Sequence, residues 1–353
     1  MDFLDRFGLT VPLVQAPMAG VSTPEMASEA SEAGALGSIG VGATDADGAA
    51  KMIATVRART ARPFNVNFFV HATPQADAQR ETAWLAALAP VFAEFDAEPP
   101  AQLRTTYTSF ADDPEMVRML LALRPPIVSF HFGLPDAAVI AALRQAGIFL
   151  LATATSLAEA KRAQDCGIDA LVAQGIEAGG HRGIFDPDSP DDALGTMALT
   201  RLLVRDLEQP VIAAGGIMDG AGIASARALG AVAAQLGTAF IACPESATDD
   251  AYRAALMSSA AHHSRMTRSI SGRPARALAN RFTALETRLS GATPPDYPRA
   301  YDAGKALNAA AKASGEAGFG AQWAGQGAPL ARAMPAAKLV AQLRGEFMAA
   351  INR

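Results

Sequence analysis

The chain has 353 residues, half of them hydrophobic and 18% charged, with a net charge of −5. That is enough apolar material for one large barrel or two modest domains, and it argues against disorder. The acidic balance gives no reason to expect nucleic acid, no apolar run reaches membrane-spanning length, and neither a disulfide framework nor a metal-ligand spacing is present.

Residues 1–6 lack a basic region followed by an apolar run, so no secretory signal is read there. Cys166 and Cys243 sit among apolar or small residues and read as buried thiols, so a reducing, cytoplasmic setting is expected. Short apolar runs then recur along the chain, at 13–16, 36–39, 64–69, 127–132, 148–152, 170–174, 211–214 and 232–236. They are continuous rather than alternating, as parallel strands buried on both faces should be.

Helical patterns lie between them. Pro24 opens one, with Ser22 or Thr23 as N-cap and Gly34 as its end; others end at Gly147, Gly167 and Gly230. Eight strand–helix units predict an α/β fold of the (β/α)8 TIM-barrel type, with an open doubly wound sheet as the alternative. Two stretches break the rhythm. Residues 71–110 add helix and loop after the third strand, and residues 244–320 run on through Ala- and Arg-rich sequence before a last helix near 336–351. The expected division is a barrel formed by residues 1–244 and 325–353, with a helical lid or substrate domain at 245–324. The arginines at 265, 268, 273 and 276 are read as a solvated or interface surface.

The motifs fall at strand ends. After the sixth strand comes Gln174-Gly175-Ile176-Glu177-Ala178-Gly179-Gly180-His181, in which glycines let backbone approach a flat or anionic ligand with a histidine alongside. The seventh strand ends in Gly215-Gly216 and the eighth in Gln235-Leu236-Gly237-Thr238. In a barrel these two positions commonly bind phosphate. The first strand ends in Ala16-Pro17-Met18, a small, stiff, apolar stretch suited to a flat ring system, so FMN is favoured over a phosphosugar. Gln174 offers a donor and an acceptor to a pyrimidine-like edge or a ribityl chain. No Gly-x-Gly-x-x-Gly follows the first strand, which disfavours a dinucleotide site of the Rossmann kind.

Gln15-Ala16-Pro17-Met18, Glu177 to His181, Ala214 to Ile217 and Gln235 to Thr238, in this order, resemble the FMN-dependent nitronate monooxygenases. The likeness runs to Trp323-Ala324-Gly325-Gln326-Gly327; with Tyr297, Tyr301 and Lys305 it is closest to the bacterial class I enzymes. The glycine–histidine motif is shared with flavin-dependent enoyl reductases, which use a reduced nicotinamide and are one alternative. A non-redox phosphate-binding isomerase or lyase is a second. The resemblance implies FMN contacts from Gln174, Gly179, Gly216, Gln235, Leu236, Gly237 and Thr238, to which the strand-end reading adds Ala16, Pro17, Met18, Gly180 and Gly215. It also implies that His181 and Asn67 lie near the substrate. The expected reaction is oxidation of an alkyl nitronate by O2, with propionate 3-nitronate as substrate and malonate semialdehyde, nitrite, nitrate and peroxide as products.

His181 is the candidate catalytic residue, since imidazole can bind a nitro group when charged or accept a proton when neutral. Asn67, at the end of the third strand, could orient a nitro oxygen, and His131, at the end of the fourth, could support it. Tyr297, Tyr301 and Lys305 are spaced four apart, so on a helix they share a face. With Tyr107 and Tyr252 they are candidates for recognising a small carboxylate-bearing substrate. Trp323 and Gln326 could shape the pocket or pack the returning chain, and the sequence leaves both open.

Overall fold

A computed structural model describes residues 3–289 and 291–352. Its strands are β1 (Leu13–Gln15), β2 (Gly37–Gly40), β3 (Phe64–Phe69), β4 (Ile127–His131), β5 (Phe149–Ala154), β6 (Ala170–Gln174), β7 (Gly180–His181), β8 (Val211–Ala214), β9 (Ala233–Leu236), β10 (Ser264–Thr267) and β11 (Ala275–Leu278). Eight of them, all except β7, β10 and β11, form one parallel sheet in the order β1-β9-β8-β6-β5-β4-β3-β2. A bridge between Val14 and Leu36 joins its two ends, so the sheet closes into a (β/α)8 barrel. Strands β2, β5, β6 and β8 are buried along their whole length, as parallel strands covered on both faces should be.

Local signals set the helices. Thr23 caps helix Pro24–Glu32, its hydroxyl accepting from Met26 N at 3.0 Å, with proline at the first position where no donor is needed. Gly34, Gly147, Gly167 and Gly230 follow helix ends in the left-handed region, the conformation that most readily ends a helix. The last helix, Ala336–Ile351, lies against Pro24–Glu32 and Gly220–Ala228. Its Leu339, Val340 and Leu343 are fully buried, each stabilising by roughly 1.5–3 kcal/mol. Gly220 permits that approach, since a Cβ there would stand 2.2 Å from Phe347 N.

The stretch after β9 departs from the helical expectation. Besides helices Asp250–Leu256, Arg281–Arg288 and Arg299–Ala313 it contains β10 and β11, an antiparallel pair. Strand β11 also pairs with β7, setting Ala275 opposite His181. Arginines inside Ser264–Thr267 and Ala275–Leu278 hide these strands from a search for apolar runs. The two interruptions of the barrel rhythm share one hydrophobic cluster. Trp84, Leu88 and Phe92 of helix Ala78–Ala93 pack with Phe282, Leu307 and Phe319. A bidentate ion pair between Arg299 and Glu81, at 2.6 and 2.8 Å, ties the same helices together. No helix among the described residues is long and apolar enough to cross a membrane.

Candidate active site

A cavity of about 500 Å³ opens at the carboxyl ends of the barrel strands. It is bounded by Ala16, Pro17 and Met18 after β1, Asn67 on β3, His131 on β4, Gln174 on β6, Gly180 and His181 on β7, and the turns after β8 and β9. Tyr107, Tyr252, Tyr297, Tyr301, Lys305 and Trp323 complete it from the other side. The structure therefore gathers the candidate residues into one space, with one exception. Leu236 is buried in the barrel wall with Leu13, Met26 and Phe240, because alternate side chains of a strand face opposite ways.

The turns after β8 and β9 are unusual for their unpaired donors. The backbone amides of Gly215, Gly216, Gly237 and Thr238 find no acceptor among the described residues. Gly215 and Gly216 have φ of +125° and +69°, backbone that side-chain-bearing residues rarely adopt. Such a cluster beside a cavity needs an anion or water to satisfy it. Thr238 Oγ1 accepts from Gly325 N at 3.0 Å, so its hydroxyl hydrogen remains available to a ligand.

The β1 end is held by side chains of its own. Gln15 is fully buried, accepting from Ser38 N at 2.8 Å and donating to Ser22 Oγ at 2.9 Å. Ser22 in turn accepts from Met18 N at 3.0 Å, so it folds the 16–22 loop while Thr23 alone caps the helix.

Gln174 lines the cavity and also binds the segment that follows it. Its Oε1 accepts from Gly183 N at 2.7 Å and its Nε2 donates to His181 O at 3.1 Å. Both ends of the amide bind the histidine segment and hold His181 in place, while one N–H and one lone pair remain for another partner in the cavity that Gln174 lines. His131 adds to this grip: one ring nitrogen lies 3.2 Å from His181 O and the other 3.0 Å from Thr153 Oγ1. Glu177, within the same motif, binds Thr196 N and Oγ1 at 2.8–3.0 Å and anchors the start of helix Thr196–Asp206.

The His181 ring sits among aromatic groups, with Trp323, Tyr297, Phe132 and Tyr301 at centroid distances of 5.0, 5.3, 5.6 and 6.2 Å. Its Nε2 lies 2.9 Å from Ser271 Oγ. Burial, then the neighbouring His131 and Arg273, push its pKa down to about 3. His131 is lowered to about 4, chiefly by burial. Of the two forms the sequence allowed, the structure holds His181 in the neutral one at physiological pH.

Asn67 donates to Ser129 Oγ at 2.9 Å, fixing its amide against β4. Lys305 donates to the Tyr107 hydroxyl, its Nζ 4.4 Å from that ring's centre and 5.2 Å from that of Tyr301. Partial burial lowers the Lys305 pKa, and no carboxylate pairs with it among the described residues. The Tyr297 hydroxyl is buried without a partner. Tyr252 spends its hydroxyl on the Trp323 carbonyl and so props Trp323. Trp323 lines the cavity; Gln326 lies outside it, its amide N bound to Glu177 O at 2.9 Å.

Arginines supply the main correction. Arg273 and Arg276 are 3% and 7% exposed, not surface groups. Arg276 Nε donates to Ile176 O at 3.0 Å, and Arg273 lies over Phe132 at 4.3 Å. A sequence shows only the charge, and the aromatic ring and carbonyls that receive it come from distant elements. Ser271 was likewise missed, for nothing in Ser-Gly-Arg marks a partner ninety residues away.

The described geometry agrees with what the chain is similar to. The nitronate monooxygenase family model matches residues 2–346. A nitronate monooxygenase of Paraburkholderia phytofirmans is 60% identical over 350 residues, covering 99% of this chain and 96% of that protein. One from Pseudomonas aeruginosa is 52% identical, covering 97% and 99%. Among solved structures, a nitroalkane oxidase from Streptomyces ansochromogenes is 40% identical with a TM-score of 0.88, covering 98% of this chain and 97% of that one. FabK from Thermotoga maritima is 27% identical with a TM-score of 0.75, covering 99% and 96%. Family match, identity and coverage agree: the chain belongs to the nitronate monooxygenase family of flavin-dependent oxidoreductases.

Proposed function

We propose that the cavity binds FMN and an aliphatic nitronate together, and that the protein oxidises the nitronate with O2. The observation that carries the cofactor assignment is the set of unpartnered amides at Gly215, Gly216, Gly237 and Thr238, which suits a phosphate dianion. Ala16, Pro17 and Met18 would flank the flat ring, with Gly179 and Gly180 allowing close backbone approach. Bound there, FMN supplies the electron acceptor for the nitronate and the route of those electrons to O2.

The chain's own residues would bind, orient and shield. A nitronate arrives already deprotonated, so a neutral His181 suits it as a hydrogen-bonding and orienting group rather than an obligatory base. Asn67, fixed by Ser129, would orient the nitro group from the opposite wall. Lys305, a cation with no acid partner, would take a carboxylate on the substrate's far end, with the Tyr107 hydroxyl and the Tyr301 ring beside it. That arrangement favours propionate 3-nitronate, giving malonate semialdehyde with nitrite and nitrate. Trp323, Tyr297 and Phe132 would exclude water from the reacting end. We take residues 245–324, packed with helix Ala78–Ala93, as the lid that contributes Tyr297 and Trp323 to this wall.

The test is oxygen uptake with nitrite release on adding propionate 3-nitronate to the yellow protein. Turnover is expected, with little response to NADPH. A protein that consumes NADPH rapidly and ignores nitronates would favour the enoyl-reductase reading, and a colourless protein that binds no FMN would favour the non-redox barrel.

A further inference from the structure

Arg273 is a buried cation without an acid partner. Among the described residues no carboxylate lies within ion-pair distance of it, and its Nε is buried with no acceptor. One terminal nitrogen donates to the Ile184 carbonyl. What it does have is a ring: its guanidinium carbon stands 4.3 Å from the centre of Phe132. Phe132 has φ of +78°, a region bulky residues avoid, so the backbone is held in an unfavourable state to present this ring. The edge-on neighbours of that ring are His181, at 5.6 Å, and Tyr297, at 5.4 Å. Arg273 also reaches His181 by a second route, because Ser271 Oγ donates to Arg273 O at 3.3 Å and contacts His181 Nε2 at 2.9 Å.

A buried, unpaired charge and a strained aromatic residue are both costly, and nothing in the barrel core requires either. We propose that Arg273 is a positioning residue: seated on Phe132, whose ring packs edge-on against His181, it supplies the standing positive charge behind the reacting end of the cavity. A site for an anion needs a cation nearby. Lys305 serves the outer end, beside Tyr107, and His181 cannot serve the inner end while it is neutral. Arg273 carries that charge from behind an aromatic ring, where it attracts the substrate without forming a direct ion pair that would hinder product release.

The other groups around His181 leave Arg273 as its main permanent charge. His131 packs from β4, Tyr297 and Tyr301 from the lid side, and Trp323 from the returning chain. Lys305 and His71 lie one ring further away, across Tyr301 and Tyr297. Arg182, next in the chain, is neutralised by Asp191 at 2.7 Å. Glu159 and Asp186 act on Arg273 from beyond ion-pair distance, and Glu159 is occupied by Thr155 and Phe185 N.

The test has an arm that does not depend on the reaction. Histidine-labelled FMN-bound protein is titrated by NMR, with His181 assigned by its loss in His181→Gln. In Arg273→Met the pH at which His181 protonates should rise measurably, as removal of a like charge requires, with burial and His131 still holding it below the free value. Arg273→Gln, whose amide can still donate to a carbonyl, serves if the methionine variant does not fold. An unmoved His181 titration in a folded variant overturns the proposal. The second arm is kinetic and rests on the nitronate reading: KM for propionate 3-nitronate should rise at least tenfold in Arg273→Met, with loss of activity on the acid side of the pH profile. Wild-type protein inert toward nitronates would count against that reading alone, leaving the NMR arm to decide the role of Arg273.

Discussion

Replacing Gln174 by leucine isolates the device that fixes His181. The wild-type amide accepts from Gly183 N and donates to His181 O, both in the protein interior. Leucine fills similar volume but offers neither group. His181 O keeps His131 as a partner, so it is not orphaned. Gly183 N loses its acceptor and cannot reach water, and a buried orphan of this kind costs about 1–3 kcal/mol. At roughly 2–4 °C per kcal/mol for larger domains, Tm should fall by about 2–12 °C. The functional effect should be larger than the stability effect suggests, because a displacement of ~1 Å at a reacting group can cost ~100-fold in rate. The assay is thermal unfolding beside steady-state nitronate oxidation, with bound flavin measured by absorbance. The expected outcome is retained flavin, lowered Tm and a kcat reduced at least tenfold; Gln174→Glu, which keeps an acceptor for Gly183 N, should lose less stability. A leucine variant with unchanged Tm and kcat would show that the 181–183 segment holds itself. Loss of flavin with normal stability would instead mean that Gln174 serves the cofactor.

Other outcomes follow from single residues. Gly215→Ala forces a side chain into φ +125° and places its Cβ 2.5 Å from Thr196 Oγ1, so the protein should purify with far less flavin, measured as the ratio of visible to ultraviolet absorbance. Lys305→Met should raise KM for propionate 3-nitronate about tenfold or more while leaving a nitronate without a carboxylate nearly unaffected; equal losses on both would remove the carboxylate role. His181 protonates near pH 3 in the folded protein, so its ionisation should leave kcat/KM flat from about pH 5 to 8, and an inflection near 6.5 would contradict this. The stability link has a definite sign. His181 and His131 have folded pKa values below the unfolded one, so the stability they contribute is present above pH 6.5. It is lost as pH falls toward 4 and then 3, and His131→Gln should flatten the fall of Tm on acidification.

The barrel was legible because its signals are local. Most strands are largely apolar runs and many helices carry their own cap or terminal glycine, as at Thr23 and Gly34, so neither needs knowledge of distant chain. Strand ends were legible for the same reason, since Gly215-Gly216 and Gly237-Thr238 close strands whose order is set by the fold. What failed to show were pairings across sequence. Two-residue β7 exists only because β11 lies beside it, and the bond from Gly183 N to Gln174 needs the chain to come back to β6. Arg273 looks like a surface charge until Phe132 and Ile184 are brought to it.

Anaerobic mixing tests most directly the proposal that one cavity seats FMN and a nitronate in electron-transfer contact. Protein loaded with FMN is combined with propionate 3-nitronate in the absence of O2 while the visible spectrum is recorded. The oxidised flavin band should decay within the time of a turnover and return when O2 is admitted. A spectrum that stays oxidised, from protein carrying a full complement of flavin, would contradict the assignment.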